Sequence, residues 1–271
     1  MGCRILGLCL LSCVLACSQV DLPTAVPQTH FSSGQDVVPV YEGWLRNADG
    51  TFTFVFGYFN RNWKEELVIP AGPDNKLEPG EIDRGQPTYF LPRRRPWVFR
   101  VTVPKDWGQK ELVWSITSHG RTEKAYAQLT LEEEIIERVI QSHGNLGRGE
   151  DDPNKPPSVS IEPITSVSPN RPATLTAVVT DDGLPQPKPE PVLRPGAQTN
   201  SVVRPKAGLS VSWMEYRGPA KVSFDSDEAI PVVNGKATTS ARFAAPGTYV
   251  LRATASDGAL STPADVTVIV H

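Results

Sequence analysis

The sequence predicts an all-β protein: two tandem antiparallel β-sandwiches, the second immunoglobulin-like, behind a signal peptide and a flexible tether. Three observations carry that reading. Apolar and polar residues alternate in many short runs, as in strands with one face in a core. The 271 residues include 26 Pro and 21 Gly, more punctuation than long helices tolerate. All four cysteines, Cys3, Cys9, Cys13 and Cys17, fall at the extreme N-terminus, so the bodies behind them have neither disulfides nor thiolate metal sites. Hydrophobic residues at 39% and charged residues at 21% are globular proportions, against wholesale disorder or a multispan membrane protein. The 27 basic and 30 acidic residues nearly cancel and are mixed along both halves, leaving no electrostatic footprint for nucleic acid.

Residues 1–16 read as a signal peptide. Arg4 precedes an apolar run, Ile5 to Ala16, which is too short to span a bilayer but suits a secretory leader. Val14-Leu15-Ala16-Cys17 resembles the bacterial lipobox. The resemblance implies cleavage before Cys17, lipidation of its thiol with palmitate-type chains, and attachment to the membrane through that N-terminal lipid. Ordinary secretion, processing at Cys13 after Leu10-Leu11-Ser12, or an uncleaved anchor is the alternative. Ser18 in place of Asp at the second mature position resembles lipoproteins sent on to an outer membrane, which places the protein in a bacterial cell envelope. Residues 17–36 have no periodicity and form the tether.

Residues 37–144 carry the first sandwich. Strand signals run from Val37 to Leu45 and from Thr51 to Phe59, the latter with Phe52, Phe54, Phe56 and Tyr58 on alternate positions. Asn47-Ala48-Asp49-Gly50 between them is a hairpin turn. Further runs lie at Glu66–Ile69, Trp97–Val103, Glu111–Ser118 and Thr122–Leu131, a density that indicates an antiparallel sandwich. Pro70 to Pro87 reads as a long loop, a class often functional. Leu131 to Gln141 fits a helix or a strand about equally. Residues 145–157 form the linker.

The second sandwich spans residues 158–271, with runs at Val159–Ile161, Ala173–Thr180, Leu209–Trp213, Lys221–Phe224, Lys236–Phe243, Tyr249–Ala255 and Val266–Val270. That is the strand number of an immunoglobulin-like fold. Trp213 takes the place of the buried strand-C tryptophan, Tyr249 that of a tyrosine corner, and Asp257-Gly258 turns the penultimate strand into the last. Through LTAVVTDDGLP (175–185), LSVSWMEYRGPAKVSF (209–224) and APGTYVLRATASDGALSTPADVTVIV (245–270) the region resembles PKD-type domains of bacterial surface proteins. That resemblance implies spacing and interaction outside the cytosol, without catalysis. The sequence departs from the family by a Pro-rich insertion, Gln186 to Lys206. Through GWLRNADGTFTFVFGYFNRNW and YFLPRRRPWVFRVTVP, the first region resembles a β-sandwich of exported bacterial proteins and gains no activity from it.

Catalytic signatures are lacking. His119, His143 and His271 have no ligand spacing, and there is no HExxH, no GxSxG elbow and no phosphate loop. Asp74, Glu78, Glu81 and Asp83 could in principle face each other across a sugar, but solvating a loop is their expected role. The expected function is therefore a non-enzymatic, lipid-anchored envelope protein that acts in adhesion or assembly, with a protein or glycan partner. The alternative is a carbohydrate-binding accessory module using aromatics of the first sandwich. Trp63 and Trp97, each beside polar residues at a strand end, are the expected ligand contacts. Arg93-Arg94-Arg95 reads as a solvated turn, or as a cluster meeting anionic lipid or polysaccharide. Asp181, Asp182 and Asp257, at strand ends, are candidate calcium ligands; no other cofactor is expected, and Asp257 also has the plain role of closing a hairpin.

Overall fold

The computed structural model describes residues 30–145, 151–164, 167–186 and 208–271. Cys17, most of the tether and nearly all of the Pro-rich insertion lie outside the described residues. Eight strands arise from the first stretch: β1 (Val37–Arg46), β2 (Phe52–Asn60), β3 (Leu67–Val68), β4 (Asn75–Glu78), β5 (Tyr89–Phe90), β6 (Arg93–Val103), β7 (Leu112–Ser118) and β8 (Arg121–Ala127). They make two three-stranded sheets, β1-β2-β6 and β4-β7-β8, and the pair β3-β5, all antiparallel.

The β1–β2 turn closes as its sequence requires. The Asn47 amide donates to the Thr51 carbonyl, and the Asp49 carboxylate accepts from both the amide and the hydroxyl of Thr51, the self-bonding that suits Asp to turns. Gly57 sits where the β2–β6 register slips. A Cβ there would meet the Arg95 carbonyl and the Glu42 carboxylate, so only glycine fits. Alternation along β2 sends Phe54, Phe56 and Tyr58 into the core, where Phe56 stacks on Phe99 at 5.2 Å and Trp114 meets Phe99 edge-on at 4.7 Å. Bulky rings supply the burial that a disulfide-free sandwich of this size needs.

Two segments differ from expectation. The Pro70–Pro87 loop contains β4, because Leu77 is buried and Asn75 is fully satisfied: its Nδ2 donates to the Ile69 and Pro87 carbonyls at 2.9 and 2.8 Å, and its Oδ1 accepts from Trp114 Nε1 at 2.9 Å. Arg93–Arg95 opens β6 rather than forming a turn. Leu131–Gln141 resolves into one 3-10 turn (Leu131–Glu133) and a short helix, α1 (Glu137–Gln141), whose Ile140 packs with Leu45 and Val55.

The remaining strands are β9 (Ser158–Ile161), β10 (Ala173–Thr180), β11 (Ser210–Arg217), β12 (Val222–Phe224), β13 (Ile230–Pro231), β14 (Lys236–Phe243), β15 (Gly247–Ser256) and β16 (Ser261–Val270). Their sheets are ordered β12-β14-β10-β9 and β13-β11-β15-β16. With the two-residue β13 set aside, this is the D-E-B-A and C-F-G order of an immunoglobulin-like sandwich. Tyr249 is fully buried and its hydroxyl donates to the Ala245 carbonyl at 2.7 Å, which makes the tyrosine corner. Trp213 is partly buried and packs against both apolar clusters of this sandwich. Phe31–His271 forms one compact unit.

Asn75 ties three segments through one buried amide. Asn75→Ala should lower stability to chemical denaturation by about 3 kcal/mol, because two carbonyls and an indole N–H lose their partner. A loss below about 1 kcal/mol would show that these groups find other partners.

Candidate functional site

A group of polar and charged side chains among the described residues converges where the two sandwiches meet. Segment 82–90 of the first sandwich runs against the end of β11. The Thr88 amide donates to the Tyr216 carbonyl at 3.2 Å, the Gly218 amide donates to Thr88 Oγ1 at 3.2 Å, and the Tyr216 hydroxyl donates to the Gly85 carbonyl. Tyr216 is buried among the core residues of the first sandwich, although its strand belongs to the second. Burial in this setting pushes its hydroxyl pKa up.

Arg252 caps the Tyr216 ring, its guanidinium carbon 4.1 Å from the centroid. Its Nε and Nη2 donate to Asp265 at 2.7 and 2.8 Å, and its Nη1 donates to the Val98 carbonyl of the first sandwich. Burial opposes the charge on Arg252, but the Asp265 carboxylate outweighs it and raises the pKa. Arg217 adds a pair to Asp83 at 2.6 Å, and Lys221 one to Glu66 at 2.9 Å. On the other flank, Ser261 Oγ lies 2.8 Å from His143 Nε2 just past α1, and burial lowers the His143 pKa.

Two recesses flank this junction. One, of ≈ 440 Å³, is lined among others by Arg84, Arg100, Arg252, Trp97 and Tyr216. The other, of ≈ 490 Å³, is lined among others by Pro70, Thr88, Arg217, Pro219 and Pro246.

Glu215 is the unbalanced group. It is buried, its Oε2 accepts from the Val222 amide at 2.8 Å, and its Oε1 has no hydrogen-bond partner. Desolvation above all pushes its carboxyl up to about 8; the Val222 amide opposes this, Glu66 adds to it and Lys221 opposes it. A Cβ on Gly218 would strike both Glu215 and the Tyr249 ring, so glycine is required at the strand end where the sandwiches touch.

The residues singled out from the sequence do not share one site. Trp97 lines the first recess, but most of its surroundings are internal: Leu45, Val55 and Ile140 beside it, with His143 at 6.1 Å between ring centroids. Its φ of +51° is uncommon for a residue with a side chain. Trp63 is 45% exposed and lies under Arg93, 4.3 Å from ring centroid to guanidinium carbon. Asp181, Asp182 and Asp257 come to the end of the second sandwich with residues 152–155. Asp257 accepts from Asn154 Nδ2 at 2.9 Å and from the Ala259 and Leu260 amides, and Asp182 accepts from the Lys155 and Leu184 amides. Asp181 accepts from the Gly183 amide, and its pKa is raised by burial first and then by Asp257 and Asp182. Among the described residues no three His, Cys, Asp or Glu side chains are arranged to hold a metal ion.

Sequence reasoning missed Tyr216, Glu215, Arg217 and Arg252. One signal was available: counting outward from the Asp257-Gly258 turn puts Arg252 opposite Asp265.

No family model matches the chain, and no curated protein sequence does. Among solved structures it is similar to a conjugative transposon lipoprotein from Bacteroides eggerthii, at 11% identity over 41% of this chain and 95% of that one, with a TM-score of 0.28. It is also similar to the D00-D0 domain of intimin, at 12% identity over 87% of this chain and 100% of that one (TM-score 0.28). Domains 4 and 5 of the S-layer protein SbsC match at 12% identity over 60% of this chain and 65% of that one (TM-score 0.23).

Glu215 predicts a pH dependence of stability. An acid whose folded pKa lies above its unfolded value holds its proton more tightly in the native state, so its contribution is full below about 4.5 and is lost as pH rises to about 8. Stability measured by denaturant titration across that window should fall for the wild type, by on the order of 4 kcal/mol. The slope should flatten in Glu215→Gln; an unchanged slope would assign the dependence to other groups.

Proposed function

We propose that this chain is an exported, lipid-anchored protein of a bacterial cell envelope, held at the outer membrane through Cys17, with a non-catalytic binding or spacing role. The observation that carries the reading is the junction. Domains joined by a linker alone reorient freely, whereas here a buried tyrosine, a caged arginine and reciprocal hydrogen bonds hold two sandwiches at one angle. A body that must present loops to a partner at a fixed distance from a membrane gains from that rigidity. Such a body needs no reacting groups. Its leader and lipobox-like sequence agree with the location, and its loops at the sandwich ends are the surfaces offered to a protein or glycan partner.

The anchor is tested by fractionation and palmitate labelling of the wild type and Cys17→Ala. The wild type should label and sediment with membranes, while the variant should do neither. Unlabelled full-length wild type in the cytosol would end the proposal.

One observation favours the carbohydrate-binding reading: Trp97, held at positive φ, borders the recess that also carries Arg84 and Arg100. Backbone strain of that kind clusters at ligand sites, and an aromatic edge beside the Arg84 guanidinium suits an acidic sugar, Arg100 being held by Glu137 through both terminal nitrogens. On a glycan panel, residues 18–271 should then bind acidic glycans, with Trp97→Ala weakening the strongest signal at least about tenfold, the scale of one lost stacking contact. Equal binding by both proteins would discard this reading.

A further inference from the structure

The surface around Trp63 is the part of the first sandwich that the proposed role leaves unused. Arg93 lies over two rings at once, 4.3 Å from the centroid of Trp63 and 5.0 Å from that of Phe59. Phe31, 50% exposed, accepts from the Trp63 amide at 2.9 Å through its carbonyl, and the Ser32 carbonyl accepts from the Lys64 and Glu65 amides. The segment by which the chain enters the folded body is therefore pinned beside the patch. Asn62 fastens it further, exchanging bonds with the amide and carbonyl of Gln35 at 2.7 Å each.

Charge points the same way. Arg61 is paired with Asp36 and Arg94 with Glu42. Among the described residues Lys64, Arg93 and Arg95 have no carboxylate within ion-pair distance.

We propose that this patch docks on the anionic bilayer surface that carries the acylated Cys17. The inference rests on the lipid-anchor reading above and adds to it that the first sandwich lies against the headgroups instead of being held away from them. Cys17 precedes Phe31 by 14 residues, which can span at most about 50 Å, so the anchoring lipid is within reach of this face. Tryptophan is at home at the level of the headgroups, with its ring among apolar groups and its edge in water. The Arg93 guanidinium stacked on that ring is placed to meet lipid phosphates. A second copy of the chain is a poorer occupant: a two-fold contact through this patch would bring Arg93 and Lys64 against their own images.

The test uses residues 17–271, in which Cys17 is the only thiol, coupled through it to a maleimide-headgroup lipid in vesicles containing brominated phospholipid. Chemical coupling replaces acylation by the cell, so the outcome does not depend on whether Cys17 is modified in vivo. The folded part stands by itself, since Phe31–His271 is one compact unit. On vesicles rich in phosphatidylglycerol, bromolipid should quench part of the tryptophan emission, and that part should vanish in Trp63→Phe. Arg93→Glu and Lys64→Glu should each lower the docked-to-undocked ratio at least about fivefold, as should exchange of the anionic lipid for phosphatidylcholine. Absence of quenching, quenching unchanged in Trp63→Phe, or quenching indifferent to lipid charge would overturn the proposal. So would a dimer in solution that Trp63→Phe dissolves. None of these results touches the anchor itself, which stands or falls on the palmitate labelling of Cys17.

Discussion

Tyr216 belongs to the second sandwich by its strand and to the first by its packing. Its carbonyl, hydroxyl and ring face meet three different groups, Thr88, Gly85 and Arg252. Each hydrogen bond alone is worth about 1 kcal/mol net, but the two that cross to the first sandwich form together when it docks, on a ring already capped by Arg252 of the neighbouring strand. The demand spreads outward. Gly218 must lack a side chain because Glu215 and Tyr249 fill the space beside it, and Arg252 must be held by Asp265 so that its charge is not left bare near a core. The orientation of the two sandwiches is thus set by packed side chains, whatever the linker between them does.

Much of the strand pattern was legible from local alternation, because burial on one face of a sheet imposes a period of two. β10 and β14 fall on the runs at Ala173–Thr180 and Lys236–Phe243, and the Asn47–Gly50 turn and the tyrosine corner follow from residue chemistry at fixed positions. β4 was not legible. It is four residues long, lies among prolines and glycines, and owes its place to Asn75, a polar residue whose partners lie 6, 12 and 39 positions away. Alternation contains no information about such a residue.

The junction was hidden for a related reason. Glu215, Tyr216 and Arg217 follow an alternating run and look like its polar end, yet two of the three are buried. The first sandwich takes Tyr216 into its core, and Glu215 is enclosed beside it by Val222, Gly218 and the Tyr249 ring; sequence periodicity describes one sheet at a time. The aromatic residues divide similarly. Trp44, Trp107 and Trp114 lie in the core of the first sandwich, while Trp63 lies outside a strand and Trp97 sits at a left-handed kink, where strand parity no longer fixes the direction of a side chain.

A junction made of directed bonds does something an apolar seam does not. Apolar surfaces slide past one another at small cost, since the hydrophobic effect is non-directional. A buried carbonyl that must meet one amide, and a guanidinium that must meet one carboxylate and one carbonyl, leave a single register in which all are satisfied. Glu215 shows the limit of that device, because one of its oxygens finds no partner and the carboxyl keeps its proton into the neutral range. While it stays neutral, the seam between the sandwiches contains no uncompensated charge. Glu215 is thus the buried polar group of the seam whose ionisation the directed bonds around it do not compensate.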